Sequence, residues 1–253
     1  MPKLLDLYSC AGGAAAGYHR AGFDVYGVDK DPQPRYPFAH HVGDAVQVLA
    51  RLTFGESVTF THPDGTTAEL FLEDFDVIHA SPPCQTYSAT KAWHDNAHPD
   101  LVEPTREALI ATGLPYVIEN VPGAPLIDPV RLCGSEFDMV GPDSDGRMLK
   151  MIRHRLFESN MPLRNNGGCR HRRDYITASV YGNGGGWSLE YRDSPTRRSG
   201  YIPKTPVIQN LLGIDWMTKH EMSQVVPPVM AEHIGRQIMD YLDVPAVPVA
   251  LAA

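Results

Sequence analysis

Short apolar segments alternate with helix-forming segments along the chain, and this alternation constrains the fold more than any other feature. The strand candidates are rich in leucine, valine and isoleucine and comprise residues 4–8, 24–29, 75–80 and 114–118. Helix-forming segments follow, at residues 14–21 and 103–111. Two alternating runs around Pro63-Asp64-Gly65 predict a β-hairpin before the strand at 75–80. Buried strands separated by helices are typical of a mostly parallel sheet with helices on its faces. The sequence therefore predicts an α/β fold, in which a closing helix at about 228–242 packs against the first strand–helix unit.

Length and composition indicate a soluble globular protein. With 253 residues, 43% hydrophobic and 21% charged, the chain is expected to form one large domain or one domain with an insertion. No apolar stretch approaches transmembrane length, and the first residues lack the apolar region of a signal peptide. We therefore expect a cytoplasmic protein that makes no membrane contact.

The four cysteines are scattered and form no Cys-x-x-Cys pair, which suits a reducing compartment. Cys169-x-His171, with Cys133 elsewhere, hints at zinc. Its spacing is not that of a standard zinc site, so the sequence predicts no metal.

The charge is distributed unevenly. The net charge is −8, yet residues 147–204 carry 12 Lys and Arg against 4 Asp and Glu, so this segment is +8 and the remainder is −16. Such asymmetry predicts a basic surface on an acidic body, as in proteins that bind nucleic acids. A solvated face is the alternative.

A turn of small residues, 9–13, follows the first strand candidate and precedes a helix. Small residues let the backbone approach a ligand, and a helix N-terminus offers unpaired N–H groups. Asp29 ends the second strand, where a carboxylate can accept ribose hydroxyls, and Asp44 could reach the amine of an adenine. The turn lacks Gly-x-Gly-x-x-Gly, and many α/β proteins have similar turns. It therefore either binds a nucleoside cofactor or is an ordinary turn between a strand and a helix.

Two further strand candidates end in reactive side chains. Cys84 follows Pro82 and Pro83, which stiffen the turn after residues 75–80. Glu119 ends the strand 114–118. If the two strands are neighbours, a thiol nucleophile and a carboxyl group with a raised pKa face one crevice. The alternatives are an inert loop cysteine and a glutamate that caps a turn.

Five motifs in order resemble those of the DNA cytosine-5 methyltransferases. They lie at residues 6–13 with 21–23, 82–85 (Pro-Pro-Cys-Gln), 119–121 (Glu-Asn-Val), 153–155 (Arg-His-Arg) and 226–235. The resemblance covers residues 3–157 and about 207–243. It implies a Rossmann-like, S-adenosylmethionine-dependent methyltransferase fold with a small inserted target-recognition region, in a compact member of the family.

The resemblance also implies roles for the reactive residues. Cys84 would add to carbon 6 of cytosine, and carbon 5 would then take the methyl group of S-adenosylmethionine. Glu119 would bind the ring nitrogen and amino group, Arg155 the carbonyl oxygen, and Arg153 would support the Cys84–Glu119 pair. The base must leave the helix, so the expected partner is double-stranded DNA with the cytosine flipped out. Phosphate contacts are the alternative for both arginines.

Residues predicted to bind the cofactor are Tyr8, Ser9, Gly12, Gly13, Asp29, Asp44, Pro82 and Gln224. Three departures from the family pattern lie close to this set. Cys10 replaces a glycine, Met151 stands where glutamine is usual, and Ser223-Gln224 occupies the place of a Gly-Asn pair.

The predicted organisation is a catalytic and cofactor-binding part, 1–157, a basic target-recognition region, 158–206, and a closing part, 207–253, that completes the catalytic domain. The region contains basic residues and a glycine run, 182–186, suited to reading guanine edges and phosphates, and its small size predicts a short or relaxed recognition site. We expect a monomer. RNA remains an alternative substrate, and a binding module that has lost turnover is a third possibility.

Overall fold

The computed structural model describes residues 1–83, 100–180, 186–196 and 200–243. The strands are β1 Lys3–Leu7, β2 Asp24–Asp29, β3 Ala39–Val42, β4 Val58–Thr61, β5 Thr67–Leu70, β6 Val77–Ala80, β7 Tyr116–Asn120, β8 Val130–Cys133, β9 Val140–Pro142, β10 Met148–Met151, β11 His154–Ser159 and β12 Ile176–Ala178. The α-helices are α1 Gly13–Ala21, α2 Ala45–Thr53, α3 Val102–Thr112, α4 Leu189–Asp193, α5 Thr205–Leu212, α6 Lys219–Gln224 and α7 Pro228–Leu242.

A nine-stranded sheet forms the centre of the molecule, in the order β5-β4-β3-β2-β1-β6-β7-β11-β8. The five central strands, β3, β2, β1, β6 and β7, are parallel to one another. The two outer strands at each edge pair in an antiparallel manner with their neighbours. The predicted α/β class with a mostly parallel sheet is confirmed. The antiparallel pair β4–β5 turns at Gly65, as the Pro-Asp-Gly sequence predicted.

Alternating side chains of the parallel strands bury both faces of the sheet. Leu4 of β1 belongs to one core with α1 and α7, whereas its neighbour Leu5 belongs to a second core with α2 and α3. Because successive side chains of a strand point to opposite faces, a strand covered on both sides is apolar throughout. This burial explains the continuous apolar runs in the sequence.

Helices α1 and α7 pack at very close range, which confirms the predicted contact of the closing helix with the first unit. A Cβ atom placed on Gly17 would lie 2.2 Å from the Pro228 carbonyl oxygen and 2.7 Å from the Ala231 Cβ atom. Backbone atoms on α7 cannot move aside as a flexible side chain can. Only glycine therefore permits this separation of the two helices.

Gly17→Ala is expected to lower the free energy of unfolding by about 1–3 kcal/mol, because the added methyl group overpacks the helix contact. Urea unfolding monitored by circular dichroism measures the change. Gly141→Ala is the matched control, since its Cβ atom would make an ordinary 3.4 Å contact with Leu211. Equal stability of the Gly17 variant and the wild type would contradict the close packing of α1 and α7.

A second, three-stranded sheet has the order β12-β10-β9. Strands β9 and β10 precede β11 in the chain, and β12 follows it. The chain therefore leaves the small sheet to form β11 in the large sheet and then returns. The predicted boundaries of the recognition region, 158 and 206, stay a prediction. Within the described part of the chain, no helix combines the length and apolar character needed to cross a bilayer.

Candidate active site

Strands β6 and β7 are parallel neighbours, as the crevice hypothesis required. The turn after β6 is tied to the end of β7, because the Asn120 side-chain amide donates a 3.0 Å hydrogen bond to the Pro82 carbonyl oxygen. The segment that leads into Cys84 is thus anchored beside Glu119. Cys84 itself lies outside the described residues, so its position remains a prediction.

Glu119 is buried in β7 and forms an ion pair with Arg155 of β11, whose Nε atom lies 2.8 Å from Glu119 Oε1. Glu119 is paired in register with Phe157, and Arg155 lies two residues from Phe157 on the same face of the sheet. Burial raises the pKa of Glu119, and Arg155 and a hydrogen bond from Ser81 oppose that shift without cancelling it. A carboxyl group in this setting can hold a proton more readily than an exposed one.

Both arginines of the Arg-His-Arg motif bind backbone carbonyl groups at the end of α6 and in the residue that follows it. Arg153 is buried and donates to the carbonyl oxygens of Met222 at 3.2 Å and Ser223 at 2.7 Å. Arg155 donates to the Val225 carbonyl oxygen at 3.3 Å. The structure therefore brings the predicted cofactor segment around Gln224 next to the Glu119–Arg155 pair, a contact between parts of the chain about seventy residues apart.

The opening turn is shaped by Asp29. Its carboxylate accepts hydrogen bonds from the backbone N–H groups of Cys10 at 2.9 Å and Asp31 at 3.1 Å. Tyr8 and Cys10 both have positive φ angles, 59° and 45°, a conformation that glycine adopts without strain. The family's glycine in place of Cys10 has a physical explanation in this backbone angle.

Both glycines of the turn are required by packing inside the protein. A Cβ atom on Gly12 would lie 2.9 Å from the Tyr36 ring, and one on Gly13 would lie 2.1 Å from a methyl group of Val225. Close approach to the cofactor was the sequence-based reason for these glycines, and it stays a prediction. In the structure, the missing side chain of Gly13 lets the start of α1 lie against Val225, the residue after α6.

The remaining predicted cofactor residues surround the same end of the sheet. Asp44 is exposed and caps α2 by accepting from the Gln47 backbone N–H at 3.0 Å. Tyr8 bonds Thr105 at 2.8 Å, and its pKa is raised by burial and by the charge of Asp44. The buried hydroxyl of Ser9 has no hydrogen-bond partner among the described residues.

Two features of the site were missed by sequence reasoning. A buried hydrogen-bonded chain runs from Tyr18 of α1 to His79 of β6 at 2.9 Å, and from His79 to Ser81 at 2.8 Å, beside Glu119. Burial lowers the pKa of His79 to about 3, which keeps its imidazole neutral. Trp216 donates a 2.8 Å hydrogen bond to the Ala11 carbonyl oxygen and fastens the opening turn to the closing part of the chain. No local pattern pointed to either feature.

The basic segment 147–204 is less basic at the surface than the charge count implied. Among the residues of this segment that the structure describes, four cationic side chains are buried, namely Lys150, Arg153, Arg155 and Arg192. Arg192 is paired with Asp143, Asp145 and Asp193. Asp143 and Asp145 lie before residue 147, so the charge count of the segment did not include them. Exposed basic residues remain at Arg164, Arg170, Arg173 and Lys204. The charge asymmetry in part reflects internal ion pairs.

Two solved structures share this architecture over nearly their whole length. A protein described as a DNA modification methyltransferase encoded within an E. coli prophage has a TM-score of 0.56 at 16% identity, covering 96% of this chain and 99% of that chain. Dnmt2 methyltransferase of S. pombe has a TM-score of 0.50 at 9% identity, covering 96% of this chain and 99% of that one. The chain has a methyltransferase fold.

This fold agrees with the sequence motifs and confirms the predicted fold class. No protein-family model matches the chain, and no curated protein matches it. In this chain, four parallel strands bring the predicted site residues to one edge of the sheet. The opening turn follows β1, Asp29 ends β2, the proline turn follows β6, and Glu119 lies near the end of β7.

Proposed function

We propose that this protein methylates carbon 5 of cytosine in DNA, with S-adenosylmethionine as the methyl donor. The observation that carries the proposal is the Glu119–Arg155 ion pair at 2.8 Å beside the anchored proline turn that leads into Cys84. A carboxyl group with a raised pKa and a guanidinium group present a hydrogen-bonding pair of the kind that a cytosine edge requires.

The residues around the opening turn fit a nucleoside-containing methyl donor. Asp29 has each oxygen engaged by one backbone N–H, which leaves an acceptor site on each for a ribose hydroxyl. Asp44 offers an exposed carboxylate, and the Ser9 hydroxyl is buried and has no partner among the residues described. When bound, the donor would supply the electrophilic methyl group, and the electron pair of the broken sulfur–methyl bond would stay on sulfur to leave S-adenosylhomocysteine.

The chemistry attributed to the chain's own residues has three steps. The Cys84 thiolate forms a bond to carbon 6 of the flipped cytosine, and the electron pair of the 5,6 double bond moves to carbon 5. Glu119 and Arg155 hold the ring nitrogen, amino group and carbonyl oxygen while carbon 5 takes up the methyl group. A base or water then removes the carbon 5 proton, and the carbon 6–sulfur bond breaks to release Cys84 and restore the double bond.

DNA is the preferred substrate because the fold matches a protein described as a DNA modification methyltransferase over 99% of that chain. Exposed arginines in the inserted region, Arg170 and Arg173, supply phosphate contacts on this proposal. A tRNA substrate and a module that binds without turnover are the two competing outcomes of the test.

Incubation with methyl-labelled S-adenosylmethionine and either DNA or tRNA tests the proposal. Label is expected in DNA, and Cys84→Ser is expected to abolish it, because a hydroxyl is a far weaker nucleophile than a thiolate. Glu73→Gln is the control, since it alters an exposed side chain just before β6, at the end of that strand away from Cys84. Label confined to tRNA, or binding without label, would overturn the proposal.

DNA that contains 5-fluorocytosine tests the covalent step separately. Fluorine at carbon 5 cannot leave as a proton does, so the wild type is expected to remain bonded to the DNA in a denaturing gel. The Cys84→Ser variant should give no such complex. A complex of equal yield in both proteins would exclude Cys84 as the nucleophile.

A further inference from the structure

Two cysteines and two histidines converge where β8 and β11 meet the loop that follows β11. Cys133 ends β8 and His154 begins β11, and the two are paired directly opposite each other in the antiparallel register. Cys169 and His171 come from the loop. One donor atom of each of the four residues lies within 4.8 Å of the others.

The distances within this cluster suit a single tetrahedral ion. Cys133 Sγ lies 3.3 Å from His171 Nε2, and Cys169 Sγ lies 3.3 Å from His154 Nε2. Zinc bonds of about 2.3 Å to sulfur and 2.0–2.1 Å to nitrogen separate ligands at tetrahedral angles by about 3.3–3.8 Å. The four donors are thus near the spacing that one Zn²⁺ ion would impose.

The donor set also favours zinc over other ions. Two thiolates and two imidazoles form the Cys₂His₂ set of structural zinc sites, and oxygen-seeking ions such as Mg²⁺ and Ca²⁺ disfavour sulfur. All four positions are filled by protein side chains, which is the arrangement of a closed structural site. Sequence spacing concealed it, because His154 is contributed by a strand and Cys133 lies 36 residues before Cys169.

Side chains around the cluster orient its ligands. Ser135 Oγ lies 3.1 Å from Cys133 Sγ as a hydrogen-bond donor, and it accepts from the Arg170 backbone N–H at 3.0 Å. The Glu136 carboxylate accepts from the backbone N–H groups of Cys133, Asn166 and Gly168 at 2.9–3.3 Å. Such supporting hydrogen bonds are a regular feature of metal sites.

We propose that Cys133, His154, Cys169 and His171 bind one structural Zn²⁺ ion, which fastens the loop 165–174 to the edge of the large sheet. The loop carries Arg170, Arg172 and Arg173, so the ion also sets where these basic side chains stand. Binding by the thiolates releases their protons, and no oxidant or reductant is consumed. The test of this site does not depend on the proposed methyl transfer, because the metal content of the protein is measured without any substrate.

Elemental analysis of protein purified without chelators tests the site. About one zinc per chain is expected in the wild type. The double variant Cys169→Ala/His171→Ala is expected to lose it, whereas Cys10→Ala/His220→Ala, which alters an exposed cysteine and an exposed histidine elsewhere, should retain it. Zinc retained by the first variant would overturn the proposal.

Two measurements on the unaltered wild-type chain avoid any dependence on variant folding. Reduced, chelator-treated protein titrated with Co²⁺ should develop the visible bands of a tetrahedral thiolate site, and Zn²⁺ should displace them. Trypsin should cleave after Arg170, Arg172 or Arg173 at least about tenfold faster without zinc, because the free loop opens more often. Absence of the Co²⁺ spectrum, a Cys133–Cys169 disulfide in anaerobically isolated protein, or cleavage insensitive to zinc would each overturn the proposal.

Discussion

Replacing Glu119 with glutamine is expected to lower kcat/KM for methyl transfer to cytosine by about 10²- to 10⁴-fold, the range for losing a positioned acid–base group. Glutamine keeps the size of the side chain but can neither hold nor release a proton at this position. It also removes the negative charge that pairs with Arg155 at 2.8 Å. Steady-state kinetics with labelled S-adenosylmethionine and DNA measure the effect.

Glu158→Gln is the matched control. Glu158 is a second buried glutamate of the large sheet, and it pairs with Arg106 of α3 at 2.7 Å. Its loss should affect stability while kcat/KM of the folded enzyme stays within about threefold of the wild type. Equal loss of activity in the two variants would show that Glu119 acts only through the fold.

The pKa of Glu119 gives this residue a pH signature. Burial raises the pKa above the ordinary value of 4.5, so the native protein holds the proton more tightly than the unfolded chain does. The stabilising contribution of the group is therefore complete below pH 4.5 and is lost as the pH rises through the raised pKa. If catalysis uses the protonated form, kcat/KM falls over the same interval, and the residual activity of Glu119→Gln lacks that decline.

Arg192→Met is expected to lower the free energy of unfolding by about 3 kcal/mol, the lower end of the range for breaking a buried ion pair. The side chains of Arg192 and Asp143 are fully buried, and methionine would leave the Asp143 carboxylate without its counter-ion. Asp145 and Asp193, which also bind Arg192, are partly exposed, so solvent compensates for part of their loss. Urea unfolding at neutral pH provides the measurement.

Arg172→Met is the matched control for this ion-pair cluster. Arg172 and Asp174 form a single exposed pair, with side chains 55% and 60% accessible, and solvent screening leaves such a pair with little effect on stability. Lowering the pH of the wild-type protein should reproduce part of the destabilisation caused by Arg192→Met. The arginine neighbours lower the pKa values of Asp145 and Asp193, so the stability they add is present above their ordinary pKa of 3.8 and is lost as the pH falls through the lowered values. Indistinguishable stabilities of the Arg192 and Arg172 variants would contradict a structural role for the buried cluster.

Features encoded in short stretches of sequence were predicted correctly. The apolar runs at 24–29 and 114–118 gave β2 and β7, and Pro63-Asp64-Gly65 gave the β4–β5 hairpin. Glu119 could be singled out because it follows a buried run directly, and parallel strands bring their carboxyl ends to one edge of the sheet. These predictions held because strand periodicity, turn chemistry and the parallel arrangement depend on neighbouring residues.

Charge counting succeeded less well because it ignores where the chain goes. Residues 147–204 appeared as a basic block, yet Arg192 is neutralised by Asp143 and Asp145, which lie 49 and 47 residues away along the chain. The two glycines of the opening turn gave a similar lesson. Their lack of a side chain suits the Tyr36 ring and Val225, neither of which is near them in sequence.

The sequence by itself determined the α/β class and the ordered motifs that point to cytosine chemistry, since both arise from local patterns of residue type. Only the tertiary structure decided that Arg155 lies against Glu119, that Trp216 holds the opening turn, and that His154 completes a four-residue cluster with Cys133, Cys169 and His171. These contacts join residues from 15 to 205 positions apart. Pairings over such distances are set by strand order and register, which no local periodicity encodes.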